Sequence, residues 1–240
     1  MGIRKSNKIM KFSIIVGLYN HKRYLLKLIE SLENQTFKDF EWIVCDDGSK
    51  DGTKEFFKNK VFKFPFQYLS LKKNTGNLSR NINQGIRKAK GDYCIFIMGD
   101  SFPELNYLEI LNERVNPDSI ICGIRVNIEG NKIVEFDWRR RKGVIPDIPV
   151  LLPDKPWEFT TGNGLTIPTD ALRKYGGWNE KFKVAKGGEA GEDQELIARL
   201  YYKGFLVWSV PQLILYHNYH KGIISPKRKL LNKLVQKYAK

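Results

Sequence analysis

Short apolar runs alternate with amphipathic segments along the first half of the chain. The runs lie at residues 12–17, 41–45, 66–71 and within 90–101. They are continuous and bounded by turn residues, as strands covered on both faces are. Between them, apolar side chains such as Leu25, Leu28 and Leu32 recur at helical spacing. Four strands alternating with three helices predict an α/β protein with a doubly wound, mostly parallel sheet.

The strand ends of this predicted sheet are polar, and ligands bind at the carboxyl ends of parallel strands. The run within 90–101 ends at Asp100, whose carboxylate could hold a divalent metal ion against the phosphates of a nucleotide. An aspartate before a turn that contains Pro103 is also typical of a helix cap. Both interpretations of Asp100 stand at this point.

Several ordered motifs resemble family 2 glycosyltransferases of the GT-A fold. They are Tyr19-Asn20, residues 31–37, Asp46-Asp47-Gly48-Ser49, Asp51-Gly52-Thr53, Asn74, Gly76, residues 78–81 and residues 89–93. The resemblance spans residues 10–220 and implies one GT-A domain over 1–240, with a Rossmann-like, mostly parallel central sheet flanked by helices and a smaller acceptor-side subregion. Its parts would be a nucleotide-sugar-binding half (10–103), an acceptor and catalytic half (104–220) and a basic C-terminal helix (221–240).

The resemblance implies inverting transfer of a sugar from a nucleotide sugar, usually a UDP-sugar, to a hydroxyl of a glycan, lipid-linked or protein-linked acceptor. The implied nucleotide-binding residues are Gly17, Leu18, Tyr19, Asn20, Asp47, Asn74, Arg80, Gly99 and Asp100. Asp47 matches the position that binds the uracil imide, whereas Asp46 is expected to support the turn. Arg80 matches a pocket arginine near the base and phosphates, or is an exposed helix arginine. The implied sugar and acceptor residues are Trp157, Gly162, Asn163 and Glu192.

The resemblance implies Mn²⁺ or Mg²⁺ as cofactor, bound by Asp100 and by His217, with His220 as the second histidine candidate. A histidine at a strand end can equally be polar surface. The family signature Asp-x-Asp here reads Met98-Gly99-Asp100, and a methionine cannot hydrogen-bond a ribose as an aspartate would. This departure keeps open an alternative, a non-catalytic nucleotide-sugar or glycan-binding domain of the same fold.

Glu192 and Asp193 stand at a predicted helix start, after a glycine-rich stretch at 186–191. Acids favour helix N-termini for electrostatic reasons, which is the structural explanation of the pair. The resemblance instead implies that Asp193 is the general base and that Glu192 binds an acceptor hydroxyl. An aspartate with the ordinary pKa of about 3.9 is ionised at neutral pH and can accept that proton.

A net charge of +15 favours anionic partners such as a nucleotide diphosphate. No nucleic-acid-binding motif is present, so no nucleic acid is expected as a partner. Neither is a dinucleotide-dependent dehydrogenase expected, because no Gly-x-Gly-x-x-Gly follows the first strand. The three cysteines, Cys45, Cys94 and Cys122, lie in apolar runs, which predicts reduced thiols and a cytoplasmic protein.

Membrane contact depends on the C-terminal segment. No apolar run approaches the roughly 18 residues of a transmembrane helix. Every charged residue in 221–240 is basic, and Leu230, Leu231 and Leu234 lie on one helical stripe. Such a helix either packs on the domain or lies on an anionic membrane surface as a peripheral contact.

Overall fold

The computed structural model describes residues 10–135, 147–182 and 191–218, together with Val235 and Tyr238. In this part the strands are β1 (Met10–Leu18), β2 (Phe40–Asp46), β3 (Phe66–Ser70), β4 (Gly91–Met98), β5 (Ser101–Pro103), β6 (Ser119–Glu129), β7 (Lys132–Glu135), β8 (Val150–Leu151), β9 (Leu165–Pro168) and β10 (Leu206–Asn218). The α-helices are α1 (Leu25–Asn34), α2 (Thr53–Lys58), α3 (Leu78–Lys88), α4 (Tyr107–Asn112), α5 (Thr169–Tyr175) and α6 (Glu192–Tyr201). Two 3₁₀ helices cover Lys22–Tyr24 and Pro156–Phe159.

The strands form one sheet in the order β3-β2-β1-β4-β9-β6-β10-β5, with β7 paired to β6 and β8 to β10. Strands β3, β2, β1 and β4 are parallel and alternate with α1, α2 and α3 along the chain, as predicted. In the second half, β9 runs antiparallel to both β4 and β6, whereas β6 and β10 are parallel. The predicted α/β class and the Rossmann-like first half are confirmed.

Each face of the sheet carries its own hydrophobic core. Ile14 and Val16 of β1 pack in the cluster that includes α1, while Ile15 packs in the cluster that includes α3. Successive side chains of a strand point to opposite faces, so a strand that is apolar at every position must be covered on both. All seven residues of β2 are buried accordingly.

The parallel pairing brings the carboxyl ends of three strands to one edge. Leu18 pairs with Asp46, and the backbone N–H of Asp47 donates to the Leu18 carbonyl at 3.0 Å. On the other side of β1, the Gly99 N–H donates to the Gly17 carbonyl at 3.0 Å. The segments that follow β1, β2 and β4 therefore lie side by side. Asp100 precedes β5 and not a helix, so the helix-cap interpretation is wrong.

Helix α3 approaches the sheet closely at a glycine. A Cβ atom added at Gly85 would lie 2.7 Å from Cγ2 of Ile15 and 2.8 Å from Sγ of Cys45. Both neighbours are fully buried and close-packed, so the sheet cannot yield without disturbing its core. Gly85 therefore fixes the distance between α3 and the strands that carry the site.

We predict that Gly85→Ala lowers the free energy of unfolding by about 1–2 kcal/mol, because overpacking costs about 1–3 kcal/mol and exceeds the helix propensity gained. Urea denaturation measures the change. Lys88→Ala, at an exposed position of the same helix, is the matched control and should change stability by less than about 0.5 kcal/mol. A Gly85→Ala protein more stable than the wild type would contradict the close-approach argument.

Candidate active site

Asp46 shapes the loop that follows β2. Its fully buried carboxylate accepts hydrogen bonds from the N–H (2.9 Å) and hydroxyl (2.6 Å) of Ser49, and from the hydroxyls of Tyr68 and Ser70. Burial and the neighbouring Asp46 raise the pKa of Tyr68, which keeps this hydroxyl a donor. The expectation that Asp46 supports the turn agrees with these contacts.

Asp47 connects two of the predicted nucleotide-binding segments. Its carboxylate accepts from the Thr75 N–H (3.0 Å) and hydroxyl (2.8 Å), from the Gly76 N–H (3.1 Å) and from Nδ2 of Asn74 (3.3 Å). Asp47 and Asn74 are thus brought together, as their predicted roles require. Because each carboxylate oxygen already accepts two bonds, an incoming N–H donor would replace one of them.

The segment after β1 forms a close-packed wall beside this loop. A Cβ atom at Gly99 would lie 2.6 Å from Cβ of Leu18, so only glycine fits at position 99 without movement of β1. Asn20 has φ +55° and braces the next loop, with its N–H donating to Oγ of Ser49 and its Oδ1 accepting from the N–H of Lys50, both at 2.8 Å. Tyr19 remains 38% exposed.

Arg80 lies on the first turn of α3 with 57% of its side chain exposed. Its Nε donates to Oε2 of Glu180 at 3.2 Å. Hydrogen bonds from Asn83 and Arg80 lower the pKa of Glu180 and keep it ionised. An exposed ion pair of this kind contributes little to stability, so Arg80 can exchange partners at small cost.

Asp100 and His217 are brought together by β5 and β10. Their side chains are mostly buried, and Oδ2 of Asp100 lies 3.5 Å from Nε2 of His217. Asn218 donates its N–H (3.0 Å) and its Nδ2 (2.8 Å) to the Asp100 carbonyl, which ties the β4–β5 turn to the end of β10.

The Asp100–His217 spacing fits two ligands of one divalent cation. Two neighbouring ligands of an octahedral Mg²⁺, each about 2.1 Å from the ion, lie about 3 Å apart. A carboxylate oxygen and an imidazole nitrogen both suit Mn²⁺. Among the residues that the structure describes, no third histidine, cysteine or acid completes a cluster around them. Phosphate oxygens and water commonly complete such sites.

The turn at 161–164 contacts both the Asp100 side and the Asp193 side. Oδ1 of Asn163 accepts from the Met98 N–H at 3.0 Å, and its Nδ2 donates to Oγ of Ser101 at 2.8 Å. Ser101 in turn donates to Oδ1 of Asp100 at 3.2 Å. One residue earlier, the Gly162 N–H donates to Oδ2 of Asp193 at 2.7 Å. Both ends of the Asn163 amide are thus hydrogen-bonded, and they hold the turn to the end of β4 and the start of β5.

Asp193 and Glu192 start α6, as predicted, but their environments differ. The second Asp193 oxygen, Oδ1, accepts from the Gln194 N–H at 2.8 Å. These N–H donors fix the direction of the Asp193 carboxylate. Burial first, and then the negative charge of Asp193, raise the pKa of Glu192. The two adjacent acids therefore lie in different environments.

The structure buries Trp157 to 5% exposure and packs it against Tyr201 and Tyr202. Its carbonyl accepts from Nε2 of Gln194 at 3.0 Å. The observed contacts are those of a core residue that supports α6, and a sugar ring could reach this indole only after movement. Gly162 lies directly against Trp178, where an added Cβ would be 2.6 Å from the ring.

Sequence reasoning missed the residues that orient the site, namely Ser101, Asn127 and Asn218. Asn127 had a usable signal, because it is an amide between the apolar residues Val126 and Ile128 of β6 and is only 4% exposed. A buried amide needs a hydrogen-bond partner, so its position predicts a polar neighbour on an adjacent strand.

Some predictions concern residues outside the described part: His220, the loop 183–190 and most of the segment 221–240. Val235 packs against one of the two core clusters, and the Tyr238 hydroxyl donates to Glu195 of α6. These two residues fit the packing interpretation of the C-terminal segment. Within the described ranges, no helix combines the length and the apolar character needed to span a bilayer.

The fold is that of an α/β protein, and its acids and loops gather at the carboxyl ends of parallel strands, where proteins of this class bind their ligands. Residues 13–168 match the family described as Glycosyl transferase family 2, and the chain belongs to that family.

Named relatives agree with this assignment. A cholesterol galactosyltransferase of Borreliella burgdorferi is 33% identical over 134 residues, which cover 52% of this chain and 37% of that protein. A chondroitin synthase of Escherichia coli is 26% identical over 254 aligned residues, covering 91% of this chain and 36% of that protein. The chain therefore spans about a third of the length of these curated relatives. The crystal structure of S. aureus TarS 1–349 in complex with UDP-GlcNAc shares the fold, with a TM-score of 0.74 and 19% identity over 96% of this chain and 66% of that one.

Glu192 gives a testable link between the site and stability. Because its pKa is raised in the folded protein, the native state holds a proton that the unfolded state releases, and stability falls as pH rises above the ordinary glutamate pKa. We predict that Glu192→Gln raises the melting temperature at pH 8 relative to the wild type, and that the difference shrinks toward pH 4. Differential scanning calorimetry across this range measures it.

The matched control is Glu158→Gln, at an exposed position of the second 3₁₀ helix, which should leave the pH dependence unchanged. A Glu192→Gln protein whose melting temperature parallels the wild type at every pH would show that Glu192 is not held in a destabilising environment.

Proposed function

We propose that this protein is an inverting, metal-dependent glycosyltransferase that moves a sugar from a UDP-sugar to an acceptor hydroxyl. The observation that carries the proposal is the turn at 161–164, which hydrogen-bonds to Asp193 through Gly162 and to the Asp100 side through Asn163. The candidate cation ligand Asp100 and the candidate base Asp193 are therefore linked by hydrogen bonds through two consecutive residues. This is the arrangement that a reaction at one sugar carbon requires, because leaving group and nucleophile act on opposite sides of it.

The donor would lie at the edge formed by the ends of β1, β2 and β4. Asp47 and Asn74 would face the base, and Arg80 would exchange Glu180 for a phosphate oxygen, a partner that a guanidinium binds well. The fold shared with a TarS complex that contains UDP-GlcNAc supports a UDP-sugar as donor. The net charge of +15 also favours an anionic donor. The acceptor class would be a glycan or a lipid- or protein-linked hydroxyl.

Asp100 and His217 would hold Mn²⁺ or Mg²⁺, and their 3.5 Å spacing fits that role. The bound cation would neutralise negative charge that develops on the departing diphosphate. Asp100 is oriented for this by Ser101, which donates to one carboxylate oxygen and leaves the other facing His217.

Asp193 would accept the acceptor proton as the new glycosidic bond forms. The Gly162 N–H donates to Oδ2 of Asp193 and fixes the direction of its carboxylate, which supports this role. Glu192, with its raised pKa, would hold a proton more readily and could donate a hydrogen bond to an acceptor oxygen. The two neighbouring acids would then serve different steps.

Met98 supports the alternative, a non-catalytic nucleotide-sugar or glycan-binding domain. Its side chain packs against the hydrophobic core and offers no hydrogen bond to a ribose. Donor binding by such a domain would not depend on Asp193, so a transfer assay and a binding assay together distinguish the two functions.

We predict that Asp193→Asn lowers transfer or donor hydrolysis by about 10²–10⁴-fold, the usual contribution of a general base. UDP affinity, measured by calorimetry with Mn²⁺ present, should change less than about threefold, because Asp193 does not touch the nucleotide in this proposal. Asp170→Asn, at an exposed position of α5, is the control and should retain full activity. Equal activity of Asp193→Asn and the wild type would refute the assignment of the base, and UDP binding without turnover by the wild type would favour the alternative.

We also predict that Asp100→Asn raises the Mn²⁺ concentration for half-maximal activity at least tenfold, because an amide oxygen binds the cation more weakly than a carboxylate. A Mn²⁺ titration of EDTA-treated enzyme at saturating donor measures this. Asp118→Asn, an exposed acid before β6, should titrate like the wild type. Full activity of the wild type in excess EDTA would refute the metal dependence but would not affect the assignment of Asp193 as the base.

A further inference from the structure

His217 is the end of a hydrogen-bonded chain that runs across three strands. Its Nδ1 lies 2.9 Å from Oδ1 of Asn127, its direct neighbour on β6. Nδ2 of Asn127 donates to Oε2 of Glu135 at 2.8 Å, and these two residues are direct neighbours in the β6–β7 pair. The β10, β6 and β7 strands therefore align the three side chains in one row.

This row fixes which way the Asn127 amide faces. A carboxylate such as Glu135 only accepts hydrogen bonds, so it must receive the amide NH₂ of Asn127. The amide oxygen is then turned toward His217. The reversed amide would instead point its oxygen at the Glu135 carboxylate, and two acceptors facing each other without a hydrogen between them are costly for an amide that is only 4% exposed.

The amide orientation in turn decides the tautomer of His217. An amide oxygen needs a donor, so Nδ1 of His217 carries the hydrogen. In neutral imidazole the other nitrogen, Nε2, then has a lone pair, and this lone pair faces Oδ2 of Asp100 at 3.5 Å. Nε2 and Oδ2 can each donate an electron pair, and their separation suits two ligands of one cation. The same distance is long for a direct hydrogen bond.

We propose that Asn127 and Glu135 are positioning residues that hold His217 in the Nδ1–H tautomer and so present Nε2 to a divalent cation. The inference rests on the proposed function for the identity of the cation. Partners of this kind commonly change metal affinity by 10–100-fold when they are removed. This positioning of His217 also suits a site that has Met98 in place of a second acid. The cation then has a pre-oriented nitrogen ligand in addition to the single carboxylate.

The test has two readouts that do not depend on transferase activity. Long-range ¹H–¹⁵N NMR at pH 8 of the metal-free protein reports which ring nitrogen carries hydrogen. The chain has three histidines, so the spectrum of His217→Gln assigns the signal. Calorimetric titration with Mn²⁺ then measures cation affinity for the same proteins. The wild type should show the Nδ1–H tautomer of His217 and should bind Mn²⁺.

Asn127→Leu removes the acceptor at similar volume. We expect it to lose the Nδ1–H tautomer and to bind Mn²⁺ about 10–100-fold more weakly. Glu135→Leu frees the amide to rotate and should change both readouts in the same direction. Glu135→Gln keeps an oxygen that accepts from Asn127 and should remain within about threefold of the wild type. Asn131→Ala, in the exposed β6–β7 turn, is the control for the hairpin and should match the wild type.

An Asn127→Leu protein that retains both the Nδ1–H tautomer and wild-type Mn²⁺ affinity would overturn the inference. If the variant misfolds, Glu135→Leu against Glu135→Gln carries the same test, and equal results for that pair would overturn it as well. A wild type with the expected tautomer that binds no Mn²⁺ would overturn the metal role here and in the proposed function. A wild type that binds Mn²⁺ without transferase activity would contradict the proposed function alone.

Discussion

The hydrogen bonds of one short turn, residues 161–164, hold the candidate site together. Gly162 and Asn163 reach toward Asp193 and Ser101, while the Gly164 N–H donates to the Phe96 carbonyl at 2.7 Å and its own carbonyl accepts from the Tyr107 hydroxyl at 3.0 Å. Gly164 has φ +84°, which favours glycine. The turn is therefore fixed to β4 and α4. Its hydrogen bonds in turn hold Asp193 directly and Asp100 through Ser101.

Backbone N–H donors orient several carboxylates at this edge of the sheet. Asp46, Asp47 and Asp193 each accept backbone N–H groups, which fix the directions of their carboxylates. Glu192 is partly buried beside Asp193, and burial first and then that negative charge raise its pKa.

The sequence predicts the first half of the fold well because periodicity, turn residues and strand ends are local features. The four parallel strands, α1, α3 and the start of α6 all follow from such patterns, and the family resemblance adds the expectation that Asp100, His217 and Asp193 share one site. The antiparallel insertion of β9 could not be predicted, since its four residues carry no signal for their neighbours. The role of Asn127 depends on the register between β6 and β10, which long-range packing sets. The orientation of Trp157 likewise depends on its packing against Tyr201 and Tyr202.

Strand β9 has a consequence for how the protein can be divided. It lies between β4 and β6, paired to both, so a strand from the second half of the chain completes the hydrogen bonding of the first. A fragment that stops after β5 would expose the whole edge of β4 and lose one side of a hydrophobic layer. The two halves of the chain thus share one continuous sheet. Exchanging either half of the chain between relatives as an independent module would break this sheet at β4. A successful chimaera would need to keep β9 together with the strands that it joins, β4 and β6.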